Sequence, residues 1–307
     1  MLSPEEVIER LRGEGSLWEV APGVVGLRGP VVLLLSEIEA ALADLARAET
    51  PNEWRAPNGV SFRTLERAQY FASFPQWLTA ASHLSGDATV LEGIAGATSP
   101  GAAARSSLVP ADVALPPAVC YNTYAALADS VITSPTLMTA QGTCWRHEAD
   151  RISALERGWA FTMREIVCLG SGHDVKEFLD RAAARVAALE RALGLDADLE
   201  AASDPFFAPT ARGRAALQRI KGLKRELVFR FADGRPLAIA SFNDHELFFG
   251  EAFGISLPDG TPAWTGCAAF GLERWLLAVL ATYGVDPRHW PLNLTTREQT
   301  GSLENTI

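Results

Sequence analysis

The sequence predicts an α+β fold, an antiparallel sheet flanked by helices. Three observations carry this. Two extended runs, residues 143–149 and 159–169, flank a polar stretch at 150–158, as in a hairpin with a long tip. A second pair, 227–231 and 236–242, flanks Asp233-Gly234, a strong hairpin signal. The clearest helical patterns lie before, between and after these pairs and do not alternate with single strands, so a doubly wound parallel sheet is not expected.

The elements follow in order. Ser3-Pro4-Glu5-Glu6 starts a helix, with a cap before proline and acids in the first turn. A short glycine-rich strand pair comes next, then a helix over 36–48. A linker at 49–52 and the turn Pro57-Asn58-Gly59 close this first region, so residues 1–55 read as an N-terminal α/β segment and 56–307 as the main domain. A helix is expected over 61–74, stopped by Pro75, and 97–117 reads as loop because Gly, Ala, Ser and Pro dominate it. Order resumes at 119–127. Val175, Phe178, Leu179, Ala182, Val186, Leu189 and Leu193 recur at three or four, an amphipathic helix at about 174–194 ended by Gly194. A loop over 196–210, a final helix from about Gly271 to Tyr283 and a polar tail after Pro291 complete the chain.

Composition narrows the function. Hydrophobic residues make up 48% of the 307 and charged residues 21%, enough for a substantial core and unlike a disordered chain. The apolar runs 31–35 and 275–285 are too short to span a bilayer, and Glu5, Glu6 and Glu9 exclude a secretory leader at the start. A net charge of −10 gives no global field for nucleic acid. Cys120, Cys144, Cys168 and Cys267 form no CxxC pair, which suits a reduced, cytoplasmic setting.

Alternation along the first hairpin puts Cys144, Arg146 and Glu148 on one face of one strand and Phe161, Met163 and Glu165 on one face of the other. A guanidinium, two carboxylates and an aromatic ring on one surface would suit a phosphate and a flat base. The same alternation also describes a solvated sheet face with an ion pair.

Thr143-Cys144-Trp145-Arg146-His147-Glu148, the loop and Phe161-Thr162-Met163-Arg164-Glu165 resemble motif 2 of class II aminoacyl-tRNA synthetases. The run from Gly266-Cys267-Ala268 to Glu273-Arg274-Trp275 resembles motif 3. The nearest likeness is to the catalytic core of seryl-tRNA synthetases, and the spacing of Cys120, Glu165 and Cys267 is similar to the zinc-dependent, atypical type. The chain is short for such an enzyme, with neither a coiled-coil arm nor an anticodon module expected. It therefore resembles the amino acid:carrier protein ligases, truncated synthetase homologues that load a carrier protein. The likeness covers about residues 60–290.

The resemblance implies roles. Arg146 would hold the ATP α-phosphate and the substrate carboxylate, Glu148 the adenine edge, Phe161 the base face and Arg274 the γ-phosphate, with Arg157 in the motif 2 loop as a further phosphate contact. Cys120, Glu165 and Cys267 would bind one zinc ion per subunit and leave a position for the substrate amine. Alone, each cysteine reads as a small buried core residue. Glu165, Ala240, Ser241 and Asn243 would line the amino acid site, with Phe242 or Phe248 as a wall. Magnesium is expected with ATP, although Leu237 and Ala238 stand near where an acidic ligand is expected. Residues 63–75 sit where the motif 1 dimer helix should be, so a homodimer is expected from the class. Arg212, Arg214, Arg219, Lys221, Lys224 and Arg225 form a local basic excess. It would suit either a solvated surface or an acidic carrier protein with a phosphopantetheine arm, and Arg181, Arg185 and Arg191 of the added helix could join it.

The expected reaction is ATP-dependent activation of glycine or alanine, then transfer to the carrier thiol, with no tRNA and no membrane partner. A non-catalytic synthetase-like regulator, or residual tRNA aminoacylation, is the alternative. The intact Arg146, Glu148, Phe161 and Arg274 argue against the regulator.

Overall fold

A seven-stranded sheet, in the order β3-β7-β8-β12-β11-β10-β9, organises the molecule. The computed structural model describes residues 1–50, 52–207 and 218–291. The two longest hairpins supply the middle of the sheet. Strand β7 (Thr136–Trp145) pairs antiparallel with β8 (Ala160–Gly170), and β10 (Lys224–Arg230) with β11 (Pro236–Glu246). Strand β12 (Trp264–Gly271) lies between the hairpins, antiparallel to both β8 and β11. Among the described residues of this sheet, only β3 (Glu53–Arg55), on β7, is parallel, and β9 (Ala197–Ala201) closes the far edge against β10.

Period-two alternation splits the sheet into two faces. Ile166, Cys168, Leu227, Phe229, Phe242, Ala268 and Phe270 point into the larger core. Four helices cover that face: α1 (Pro4–Gly13), α2 (Pro30–Glu49), α8 (Gly172–Ala192) and α10 (Leu272–Tyr283). The N-terminal segment thus shares one core with the rest of the chain. Phe161, Met163, Glu165, Lys224, Glu226, Ser241, Asn243, Cys267 and Ala269 point the other way and line a cavity. Helices α7 (Cys120–Ala126) and α9 (Phe248–Phe253), with α3 (Phe62–Arg67) and α4 (Tyr70–Ser73), wall this side.

Local chemistry accounts for the helix ends. Ser3 and Glu6 form a reciprocal capping box with Pro4 in the first turn of α1. Ser171 and Asp174 do the same for α8, whose buried stripe is Val175, Phe178, Leu179, Ala182 and Val186. Gly194, just past α8, has φ +61°, the left-handed conformation that ends a helix at least cost with glycine.

The structure departs from the sequence expectations in five places. Helix α2 begins at Pro30, not near residue 36, because proline suits the first turn whatever the hydrophobic pattern. The span 61–74 is two short helices broken at Gln69, whose φ of 52° no apolar spacing reveals. Residues 97–117 are not simply loop: α6 (Pro100–Ser106) and β6 (Leu108–Ala114) lie there, β6 pairing with β4 (Val60–Ser61) and β5 (Ala80–Leu84). The 196–210 loop contains the edge strand β9, which a neighbour's backbone creates and a polar sequence conceals. Strand β7 ends at Trp145, so Arg146 and Glu148 lie beyond the ladder. Their backbone is redirected by Arg146 N donating to Trp159 O at 2.9 Å and His147 N to Trp77 O at 3.2 Å. The expected tail after Pro291, like Arg212 and Arg214, lies outside the described residues.

Strands β1 (Leu17–Ala21) and β2 (Val24–Leu27) form a hairpin whose tip grips the base of the loop joining β7 to β8. Ala160 N donates to Gly23 O at 3.1 Å. A Cβ on Gly23, which has φ +69°, would stand 2.4 Å from Ile152 Cγ2 and 2.6 Å from Trp159 N. No helix among the described residues is long and apolar enough to cross a membrane.

Phe242 is 2% exposed on the helix-packed face. Phe242→Ala should destabilise the protein by about 3–5 kcal/mol, read as a fall in the urea midpoint at unchanged slope. A loss below about 1 kcal/mol would contradict the face assignment.

Candidate functional site

The cavity measures about 610 Å³ and has three chemically distinct parts. Its floor is formed by Cys120 at the start of α7, Glu165 on β8 and Cys267 on β12. One ligand atom from each lies within 4.8 Å of the others, and all three residues are buried. Backbone N–H groups of Val119 and Cys120 donate to the two Glu165 oxygens at 3.3 and 3.0 Å. Asn243 Nδ2 lies 3.5 Å from Cys267 Sγ, and His245 Nε2 lies 3.9 Å from it.

This floor concentrates negative charge away from water. Burial and the nearby Cys267 push the Glu165 carboxyl up to about 7. The hydrogen bond from Cys120, then those from His245 and Asn243, hold the Cys267 thiol well below its usual range. Contact with Cys267, burial and the Glu165 carboxylate push Cys120 well above its own. Three donors that cannot all ionise comfortably side by side are what a divalent cation relieves. Two thiolates and a carboxylate are also a donor set suited to zinc, with a fourth position left over.

The second part is cationic. Arg146 donates from Nε to Pro117 O at 2.8 Å, and its guanidinium lies over Trp77 and Phe161 at 5.3 and 5.4 Å. Arg274 donates from Nε to Glu156 O at 2.8 Å and from Nη1 to Ala238 O at 3.1 Å. Burial, then Arg157 and Arg146, lower its pKa. Arg157 pairs with Glu148 at 3.1 Å. Arg146 and Arg274, held by backbone carbonyls, keep their charge, and such a cluster suits an anionic ligand. Glu273 supports the arrangement by accepting the Thr162 N–H at 2.9 and 2.8 Å with its two oxygens.

The third part escaped the sequence analysis. Lys224 is 8% exposed, with its ammonium 2.5 Å from Asp204 and 3.0 Å from Glu226. Despite burial, which opposes charge, the two carboxylates raise its pKa. Glu226 stands opposite Ser241 in the β10–β11 register and so reaches the same wall. Alternation from Leu227 back to Lys224 was a readable signal for Lys224 and Glu226. Asp204 sits outside any strand, and no sequence pattern marks it.

The predicted site residues therefore converge. Arg146, Glu148, Arg157, Phe161, Glu165, Ala240, Ser241, Asn243, Cys267, Cys120 and Arg274 all line the one cavity. Phe161 carries the Arg146 guanidinium on its ring. Phe242 is corrected: it faces the helices, and Phe248 with Phe249 lines the cavity instead. Lys224 is also corrected, since it is a buried cavity residue and not a surface dock. Of the remaining basic cluster, Lys221 pairs with Glu246 at 2.9 Å, Arg225 with Asp180 at 2.8 Å, and Arg219 bonds Ser203 Oγ at 3.0 Å. Arg181 and Arg185 of α8 converge on Glu49 at 3.3 and 2.7 Å, whereas Arg191 is exposed. Cys144 and Cys168 are buried packing residues.

No family model matches the chain. It is 35% identical over 255 residues to amino acid–[acyl-carrier-protein] ligase 1 of Bradyrhizobium diazoefficiens, covering 82% of this chain and 78% of that protein. Against ligase 2 of the same organism it is 34% identical over 275 residues, 88% of this chain and 82% of that protein. Among solved structures, the M. kandleri SerRS in complex with A. aeolicus tRNASec superposes with a TM-score of 0.83 at 20% identity. That match covers 96% of this chain and 60% of the synthetase, so the class II synthetase fold is shared over nearly the whole chain.

The buried Lys224 makes a test of the wall. Lys224→Met leaves Asp204 and Glu226 facing each other, and removal of one partner from a buried charge cluster costs about 3–5 kcal/mol. Urea titration at pH 7 should show a loss of that order. An unchanged midpoint would mean the ammonium is not holding the two acids.

Proposed function

The chain belongs to the amino acid–[acyl-carrier-protein] ligase family, and on that premise we propose that it activates a small amino acid, glycine or alanine, with ATP and passes it to the phosphopantetheine thiol of an acidic carrier protein. The observation that carries this reading is one cavity with a thiolate–carboxylate floor at one end and an arginine cluster at the other. An amino acid has an amine and a carboxylate on one carbon, and that polarity matches the cavity.

The substrate carboxylate attacks the ATP α-phosphorus, and pyrophosphate leaves with the electrons of the bond it held. Arg146 belongs to the arginine cluster and also acts electrostatically on Glu165, so it would align the two anions and offset their repulsion. Arg274 and Arg157 stabilise charge on the departing phosphates. Glu148 would meet the adenine amino edge and Phe161 the base. Cys120, Glu165 and Cys267 would hold one zinc ion, which when bound supplies an electron-poor position for the substrate amine. Magnesium travels with ATP, and Glu226 offers a carboxylate on the adjoining wall where Leu237 and Ala238 supply none. In the second step the carrier thiol attacks the activated carbonyl, AMP departs, and its phosphate accepts the thiol proton. The product is a thioester. His245 and Phe249 crowd the floor beside Cys267, with ring centroids 4.8 Å apart, which supports a substrate with little or no side chain. The cysteines are all free, in keeping with a reduced cytoplasmic setting.

A second copy of the chain supplies a further partner. Helices α5 (Ala88–Ala95) and α6 bury no residue, and Leu91, Leu108, Val109 and Val113 are 43, 47, 40 and 39% exposed around the β5–β6 pair. An apolar arm of this kind calls for a protein surface, and a homodimer provides it without another gene product. The carrier would then approach the cavity mouth near the Arg219–Arg225 segment, whose cations are largely paired within the chain.

Amino-acid-dependent exchange of pyrophosphate into ATP tests the first step. Exchange is expected with glycine or alanine, abolished by a zinc chelator, and reduced on the order of 10²–10³-fold in Arg274→Ala. No exchange with any amino acid in folded, zinc-loaded protein would sink the proposal. Light scattering tests the arm: a dimer is expected, and Leu91→Glu with Val109→Glu should yield a monomer. A monomeric parent protein would refute that part.

A further inference from the structure

The loop between β7 and β8 holds a backbone conformation that its residue type disfavours. Leu155 has φ +62°. The Glu156 N–H donates to Ala154 O at 2.8 Å, so a three-residue turn closes over Leu155. With a positive central φ this is the rare, strained form of such a turn. Glycine enters it freely, whereas a bulky L side chain crowds the carbonyl that follows it. A second local cost stands beside the first: Ser153 Oγ is buried with no hydrogen-bond partner among the described residues. Two such costs within three residues persist only where the surroundings over-determine the turn.

Two restraints do this. Ser153 and Arg157 bond each other's backbone in both directions, N to O at 3.2 and 3.3 Å, which closes the loop tip as a miniature ladder. Leu155 itself is 2% exposed, and with Ala154 it belongs to the larger core under the helices. Full burial of a leucine outweighs the cost of one left-handed residue. What the turn delivers lies in the next two residues. Glu156 O accepts from Arg274 Nε at 2.8 Å, and Arg157 pairs with Glu148 at 3.1 Å. Arg274 bonds one further carbonyl, Ala238 O at 3.1 Å, so the turn supplies one of its two fixed points among the described residues. A change of Leu155 to negative φ would redirect the chain at Glu156 and carry that carbonyl and Arg157 away together.

We propose that Leu155 is a positioning residue: its buried side chain holds the left-handed turn, and the turn sets the Glu156 carbonyl against Arg274 and Arg157 against Glu148. Only the consequence, that these three side chains meet ATP, rests on the reading above. Leu155 acts through its neighbours, aiming a cation by way of a backbone oxygen. The role depends on conformation as well as on packing, and the two predict different orders of damage. Alanine loses the anchor and still disfavours positive φ, so the turn relaxes. Glycine loses the same anchor but tolerates positive φ, so the Ser153–Arg157 ladder can keep the turn. Methionine keeps most of the buried volume and so keeps the anchor.

The test uses the full chain with nitrogen-15 in its arginines. The Arg274 Nε–H resonance, identified by its disappearance in Arg274→Lys, should exchange slowly with water in the unliganded parent. Leu155→Ala should speed that exchange and weaken Mg-ATP binding, measured by calorimetry without amino acid, at least roughly tenfold. Leu155→Gly should show a smaller change in both readouts, and Leu155→Met should match the parent. Glycine as damaging as alanine, or more so, would overturn the inference, because loss of packing alone gives that order. So would an alanine variant equal to the parent in exchange and affinity. If Leu155→Ala does not fold, Leu155→Gly is set against Leu155→Met, and identical exchange and affinity in that pair would refute the role. A parent that does not bind Mg-ATP, while Leu155→Ala still frees the Arg274 N–H, would sink the nucleotide reading and leave the hold of Leu155 on Arg274 standing.

Discussion

The pairing of β8 with β12 is the constraint on which the rest depends. Ala269 faces Glu165 and Cys267 faces Val167 in that ladder, so one carboxylate and one thiol emerge on the same side of the sheet. A slip of one residue would turn Glu165 and Cys267 into the helix-packed core and bring Ile166 and Ala268 to the cavity. The register is held by both sides at once: Ile166, Cys168, Ala268 and Phe270 have no other place to be buried. Hydrophobic burial on one face thus sets the positions of charged groups on the other.

Charge is then sorted along the cavity. The floor gathers donors that repel one another when ionised, and the far end gathers Arg146, Arg157 and Arg274. Neither group would be stable in a low-dielectric interior without partners. Arg146 and Arg274 are held by backbone carbonyls at Pro117, Glu156 and Ala238, which satisfy their N–H groups without neutralising them. Lys224, by contrast, is neutralised by Asp204 and Glu226. The free positive charge is therefore concentrated where an anion would enter, and the chain as a whole can remain acidic at −10.

Much of this was legible from residue order, for physical reasons that differ element by element. The hairpins and α8 were visible because their side chains alternate or recur with the period of the backbone. Phe161 and Glu165 were visible through alternation on β8, whereas Cys267 on β12 and Arg274 on α10 came only through the likeness to motif 3. Strand β9 and the α6–β6 arm were not, since both are largely exposed and lack an apolar period. Phe242 was assigned to the wrong face although alternation from Ser241 and Asn243 already forbade it. His245 and Asp204 lay out of reach for another reason: a bulge and an irregular segment deliver them, and neither has a sequence period.

The grip of Gly23 on the loop between β7 and β8 has a consequence for how this chain can change. Glu148, Glu156 and Arg157 hang from that loop, and its base is pinned by a hydrogen bond from Ala160 and by close contact with Ile152 and Trp159. Insertions there would have to be absorbed by an N-terminal hairpin that is itself rooted in the main core through Leu17. The first thirty residues are thus tied mechanically to the arginine end of the cavity. Grafting a different N-terminus onto this scaffold would retune the loop that carries Glu148 and Arg157, even where every other cavity residue was left in place.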